Sequence, residues 1–548
     1  MSDQERFIAL QQRYYQAWFR YHPEQAVNIG VPGYADQLPP VDDDEIGALV
    51  ALNEKLLSTL GEITLENLTP AAQLDYQLLF GSAMIEGHEL LECDWRLCSP
   101  QGFLPIQAIY QLTVKPVADM AQNMARRLEA IPGHLRKART YLGREPERIP
   151  ALWLEAAIQE AVSGVAYFQS LKNHPELAAV AANGVLEEAG QALAGFARFL
   201  ERDLGPRANG DFAVGERRFV RHLQHRHFLD LTPDQLLAFG QNLFDKTRAE
   251  LEAVTEQLRG DRDVAALTRQ IQERHPSQDK LQDKYLSNML AARDFVKSHD
   301  LVSFPSVERL DVVATPTFLR HQIPFAAYME PAVNDERQRG FYYVTPVEHA
   351  ADLGEHNHLA IMHTCVHESY PGHHLQFVTA NLNTEASSVP RLTNPSATLY
   401  EGWALYCEQL MVEQGFLAAP ESRFLVLKDR LWRALRIIID VEIQTRGMSI
   451  GAAANRMQEL LGFSAGQARA DLTWYSMAPT VPMGYGVGWA LINAARDCLH
   501  LQQPDLSLKE FHDQLLAEGS VALPAVLRKR FGQDTWQNVK QMVFGQAH

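Results

Sequence analysis

Between Met362 and Gln376 the chain runs MHTCVHESYPGHHLQ, and this stretch limits the possible folds more than any other. His363, His367, His373, His374 and Glu368 lie in a segment whose flanks, HLAIM and LQFVTANL, are apolar enough for a protein interior. Ionisable groups at that density in a buried setting need a compensating partner. A divalent metal suits, because neutral imidazole and carboxylate are standard zinc ligands.

The spacing poses a geometric problem. In HExxH, two histidines four apart share a helix face and the intervening Glu serves as general base. Here His367-Glu368 is followed by histidines six and seven positions on. At about 100° per residue, six positions carry His373 off the face of His367. Seven restore the face, but at about 1.5 Å per residue His374 would stand roughly 10 Å along the axis. Pro371 and Gly372 offer a way out: proline removes a backbone donor and crowds the preceding turn, so the helix should kink or bulge there. A two-residue bulge would bring His373 to the place of the second ligand, with His374 as the alternative.

A third ligand is expected from a following helix. Glu401 in LYEGWALYCE (Leu399–Glu408) is the candidate, with Glu408 two turns on along the same face as its buttress. Two His, one Glu and an open position make the ligand set of a catalytic zinc, one ion per chain.

HESYPGHH followed by EGWALYCE resembles the bacterial domain-of-unknown-function family 885, whose members carry HExxPGHH and EGWA and are regarded as zinc-peptidase-like. The resemblance covers at least residues 300–500 and, more loosely, the helical N-terminal half. The arrangement is similar, more distantly, to the thimet oligopeptidase and carboxypeptidase Taq families, in which a Gly-His pair ends the first motif. That similarity implies His373 rather than His374 as ligand, and a mainly α, clam-like body with the metal deep in a cleft.

Pro482 to Arg496, PMGYGVGWALINAAR, resembles the family's Pro-x-x-x-x-Tyr-x-x-Gly helix once the proline spacing is relaxed. Thimet-type enzymes carry a comparable Gly-Tyr segment whose tyrosine stabilises the oxyanion, which implies that role for Tyr485. A core position at a tight helix contact, permitted by Gly484, Gly486 and Gly488, fits Tyr485 equally well. Arg496 could hold a substrate carboxylate or form a helix salt bridge. Two departures stand out: the family's Asp-Thr-Gly-x-His is Asp440-Val-Glu-Ile-Gln444 here, and its Glu-x-x-Arg-Tyr is Asp471-Leu-Thr-Trp-Tyr475. The expected activity is hydrolysis of short peptides, of carboxypeptidase or oligopeptidase type, with Glu368 as general base. A zinc amidase acting on a non-peptide amide, or a metal-binding protein without activity, would use the same residues.

The remaining chain supports a helical framework. Thr232-Pro233-Asp234-Gln235 is a capping box with proline at the first helical position, opening a helix to Leu258. Apolar spacings of three and four predict helices near 42–60, 69–92, 116–145, 152–172 and 175–203, with turns at Pro132-Gly133, His174-Pro175 and Gly205-Pro206. The histidine-rich run Arg221 to His227 is expected at a solvated or ion-paired surface. Near Leu301 the character changes: Val312–Pro316 and Gly340–Pro346 predict short strands beside the metal helix. There Tyr342 and Tyr343 should alternate, one facing the cleft, and Tyr343 is taken as substrate-binding. The chain is therefore divided into a helical region, 1–300, and a metal-binding catalytic region, 301–548.

At 548 residues, with 46% hydrophobic and 21% charged, this is an ordinary globular composition. A net charge of −17 argues against nucleic acid or an anionic membrane as partner. Neither a signal peptide nor an apolar span of about 18 residues is expected. Five scattered cysteines argue against a disulfide framework and for the cytoplasm.

Overall fold

The computed structural model describes residues 1–545. The chain divides into two compact units: Met1–Phe212 with Pro316–Gln322 and Pro331–Glu336, and Ala213–Thr315 with Ile323–Glu330 and Arg337 onward. The change of character at Leu301 falls inside the second unit, which also takes in the helices from Ala213.

The first unit is built from helices, among them Asp3–Trp18, Asp43–Leu60, Pro70–Glu92, Met120–Leu142, Ala151–Ser170 and Val185–Phe199. Ser2 caps the first through the Glu5 amide while the Glu5 carboxylate accepts from the Ser2 amide, satisfying two otherwise orphaned donors. The turn expected at Pro132 is absent: Pro132 lies within the helix Met120–Leu142. Leu128, Ile131 and Leu135 are buried around it, and their shared face outweighs the loss of one backbone hydrogen bond.

The second unit is mostly helical as well. Its long helix Pro233–Arg259 opens on the Thr232–Gln235 capping box and packs against Ser422–Thr445. The protein is thus mainly α with a small β element, a three-stranded sheet in the order β1-β3-β2. β1 (Arg309–Ala314) pairs parallel to β3 (Arg339–Val344), and β2 (Ala326–Met329) pairs antiparallel to it. The sequence reading missed β2, four residues enclosed by Pro324 and Pro331. Because β3 is the central strand, Tyr342 and Tyr343 are both buried, at 0% and 2% exposure, where one was expected to face a cleft and the other the core. The Tyr342 hydroxyl lies on Cys365 Sγ, and that of Tyr343 on Met329 Sδ.

All five cysteines are free. Among the described residues, no helix is long and apolar enough to cross a membrane.

Candidate metal centre

The helix His358–Glu368 ends at its first acidic residue, and a new helix begins at His373. Between them the backbone ladder widens: the Gly372 amide reaches the Val366 carbonyl and the Leu375 amide the Ser369 carbonyl, each spanning six residues instead of four. This is the two-residue insertion that the motif spacing requires. A Cβ on Gly372 would collide with the carbonyls of His367 and Val366, so only glycine lets the chain double back this tightly. The Trp403 indole donates to the Pro371 carbonyl at 2.8 Å and fixes the bulge to the helix Ala397–Glu413.

That helix brings Glu401 to both histidines. His367 Nε2 stands 3.6 Å and His373 Nε2 3.3 Å from Glu401 Oε2, and the three ligand atoms lie within 4.8 Å of one another. Glu401 Oε2 takes no well-aligned hydrogen bond from either ring, so its lone pairs are left for a cation. Donors about 2.0–2.1 Å from one tetrahedral ion sit roughly 3.3 Å apart, so the residues fit zinc. The charge balance points the same way. Glu368, Glu401 and Glu408 place three carboxylates around two imidazoles, an excess that a dication offsets.

Protonation adapts to that excess. Burial opposes charge on His367, but Glu401 and Glu408 push its imidazole up to about 10. Burial likewise opposes the Glu401 carboxylate, yet His373 and His367 hold it far below the usual range. Burial raises Glu368, with His367 and His373 pulling the other way. A bound cation would displace the imidazole protons and favour the Glu368 carboxylate.

Second contacts orient the set. Glu408 Oε1 accepts from His367 Nδ1 at 2.7 Å. His374 turns away from the triad: its Nε2 lies 3.3 Å from Glu308 Oε2, and its Nδ1 3.2 Å from the Tyr328 hydroxyl. Glu308 also accepts from the Tyr370 hydroxyl and from Arg293 Nε at 2.7 Å. Burial works against this carboxylate, but these three partners lower it to about 2. Tyr328, on β2, packs against His373 with ring centroids 6.3 Å apart.

Tyr485 lies at the triad. Its ring is 6.4 Å from that of His367 and nearly parallel to it, and burial together with Glu401 keeps its hydroxyl protonated far above the usual range. The helix Gly484–Gln502 that carries it crosses Ala397–Glu413 closely, since a Cβ on Gly402 or Gly488 would meet the backbone of the other helix. Arg496 is placed elsewhere. It pairs with Glu413 at 2.7 Å and packs on Tyr406, the helix salt bridge given as the alternative to holding a substrate carboxylate. Tyr343 is buried in β3, with its hydroxyl on Met329 Sδ.

Several supports escaped the sequence reading because their partners are distant in the chain. His227 is fully buried, not at a solvated surface. Its Nδ1 meets Ser396 Oγ at 2.8 Å and its Nε2 meets Thr480 Oγ1 at 3.0 Å. It therefore ties the N-cap of the Glu401 helix to the loop before Tyr485. Asp440 accepts the Thr480 amide at 3.0 Å in the same loop. Gln444, where the family pattern places histidine, holds the Tyr475 carbonyl at 3.1 Å and so takes a backbone-bracing place.

A family model described as "Bacterial protein of unknown function (DUF885)" matches residues 23–530. The chain belongs to this family. No curated protein matches it. Among solved structures, a putative lipoprotein from Colwellia psychrerythraea superposes with a TM-score of 0.81 at 17% identity over 100% of both chains. A putative lipoprotein of unknown function from Shewanella oneidensis gives 0.76 at 19% identity, covering 95% of this DUF885 chain and 98% of its own. At these identities the likeness is one of fold.

Proposed function

We propose that this DUF885 protein is a zinc-dependent hydrolase that cleaves peptide bonds of short peptides. The observation that carries the reading is the convergence of His367 Nε2, His373 Nε2 and Glu401 Oε2 with Glu368 next in sequence to the first of them. A bound zinc ion would supply Lewis acidity, polarising a carbonyl and lowering the pKa of water. Glu368 keeps some accessible surface while Val366, His367 and Ser369 around it are buried, so its carboxylate can take a proton from water and return it to the leaving amine. The Tyr485 hydroxyl, protonated at any working pH, donates to the oxygen on which charge develops. Glu408 holds His367 with its Nε2 toward Glu401. Free thiols throughout support the cytoplasm as its compartment; the lipoprotein label belongs to the two structural neighbours.

The test is elemental analysis paired with turnover of a peptide pool. About one zinc per chain is expected, lost in His367→Ala and in Glu401→Ala. Glu368→Gln should keep the metal and lose turnover by about 10²- to 10⁴-fold, the usual range for removing a general base. Failure to take up zinc at neutral pH, or full turnover by Glu368→Gln, would sink the reading.

A further inference from the structure

The helix Ser422–Thr445 turns two arginines toward the Tyr485 ring. The guanidinium carbons of Arg433 and Arg436 stand 5.4 and 4.5 Å from the Tyr485 centroid, and 3.9 and 4.2 Å from that of Trp432. Arg436 is tied down, its Nε donating to the Tyr475 hydroxyl at 2.7 Å and its Nη2 lying 3.7 Å from Asp471. Arg433 is held more loosely. Its carboxylate neighbour is Asp429, one turn back, 3.5 Å from Nη1 and not hydrogen-bonded to it. Nε and Nη1 of Arg433, and Nη1 of Arg436, find no acceptor in the protein. Yet the two side chains keep only 11% and 6% of their surface exposed.

Holding a cation inside a protein with N–H groups lacking acceptors is unfavourable, and aromatic faces offset only part of that cost. Stability gives no reason for it, since an apolar side chain of similar length would fill the space without a charge to desolvate. A ligand that brings acceptors does give a reason. The planar guanidinium, with its several donors, is the side chain best matched to a carboxylate.

We propose that Arg433, backed by Arg436, binds a carboxylate of the substrate beside Tyr485, an assignment that rests on the hydrolase reading. Contact with the same tyrosine ring bounds the reach. The His367 and Tyr485 rings lie 6.4 Å apart, and the Arg433 guanidinium carbon is 5.4 Å from the same Tyr485 centroid. With consecutive Cα atoms about 3.8 Å apart, that span is a few residues of peptide at most. The carboxylate therefore belongs close to the cleaved bond, as the free C-terminus or as an acidic side chain beside it.

Binding is measured by calorimetric titration on the full chain carrying Glu368→Gln, loaded with zinc. The probes are N-acetyl-Gly-Gly as free acid, the same dipeptide as C-terminal amide, and N-acetyl-Gly-Glu as C-terminal amide. The free acid, the Glu probe, or both should bind at least tenfold more tightly than the neutral amide. Adding Arg433→Gln should erase the preference, and Arg433→Lys should restore part of it. A preference for the free acid alone assigns the site to a C-terminus; equal gain from the Glu probe assigns it to a side chain. Equal affinity for all three probes, or a preference that survives Arg433→Gln, overturns the proposal. Should Arg433→Gln not fold, the probe ratio in the parent and in Arg433→Lys decides. A carboxylate preference without cleavage of any peptide by the unmutated protein would leave this site standing and remove the peptidase reading. Cleavage with no carboxylate preference would do the reverse.

Discussion

Single hydrogen bonds decide how the triad presents itself. With Glu408 accepting at 2.7 Å, the Nδ1 proton is the one His367 retains, so Nε2 is the nitrogen a bound cation would deprotonate and occupy. Glu408→Ala removes that constraint, and zinc affinity should fall about 10- to 100-fold by competition against a chelating dye. A change under about threefold would show that Glu408 does not orient the ligand. A second residue-scale prediction concerns His512, fully buried, with Nδ1 on the Leu301 carbonyl at 2.7 Å and Nε2 on the Tyr406 hydroxyl at 2.9 Å. Burial lowers its pKa to about 4, against about 6.5 in the unfolded chain. The unfolded state thus binds the extra proton first as pH falls. The stabilisation is whole above pH 6.5 and drains away down to about pH 4, by roughly 3 kcal/mol. His512→Asn, unable to take up that proton, should start less stable at pH 7 and lose correspondingly less across this window in urea titrations.

At the scale of elements, the helix crossing of Ala397–Glu413 with Gly484–Gln502 sets where Glu401 and Tyr485 meet. Gly488→Ala would drive a methyl into the Thr398 carbonyl and the Gly402 Cα. The helices must separate, so the urea midpoint should fall by an equivalent of about 1–3 kcal/mol and metal affinity should drop with it. An unchanged midpoint would mean that the crossing yields freely. Much of this was legible in sequence. The Thr232 capping box, the bulge at Pro371-Gly372 and the pairing of HESYPGHH with EGWALYCE are local patterns with local physical causes. What the sequence hid is non-local. His227 meets Ser396 and Thr480, and Glu308 meets His374, across long stretches of chain, so no periodicity signals them. β2 was too short to register, and centrality in a sheet, which buried Tyr343, is a property of pairing order that alternation alone does not contain.

At the scale of the whole molecule, every residue that converges on the triad belongs to the unit that begins at Ala213, so metal binding should act on that unit's stability and not on residues 1–212. The linkage is quantitative: a ligand at 1,000 times its dissociation constant stabilises the state that binds it by about 4 kcal/mol. Three helices hold the ligands, two of them joined by the bulge, and without the ion imidazole–carboxylate attraction is what offsets the local excess of carboxylates. Amide hydrogen exchange, followed by mass spectrometry with zinc and after chelation, reads this directly. Chelation should speed exchange in residues 358–413 and 484–502 while peptides from residues 1–212 keep their rates. Faster exchange spread evenly through both units would mean that they open as one cooperative body, and no change anywhere would mean that the triad is held by packing alone.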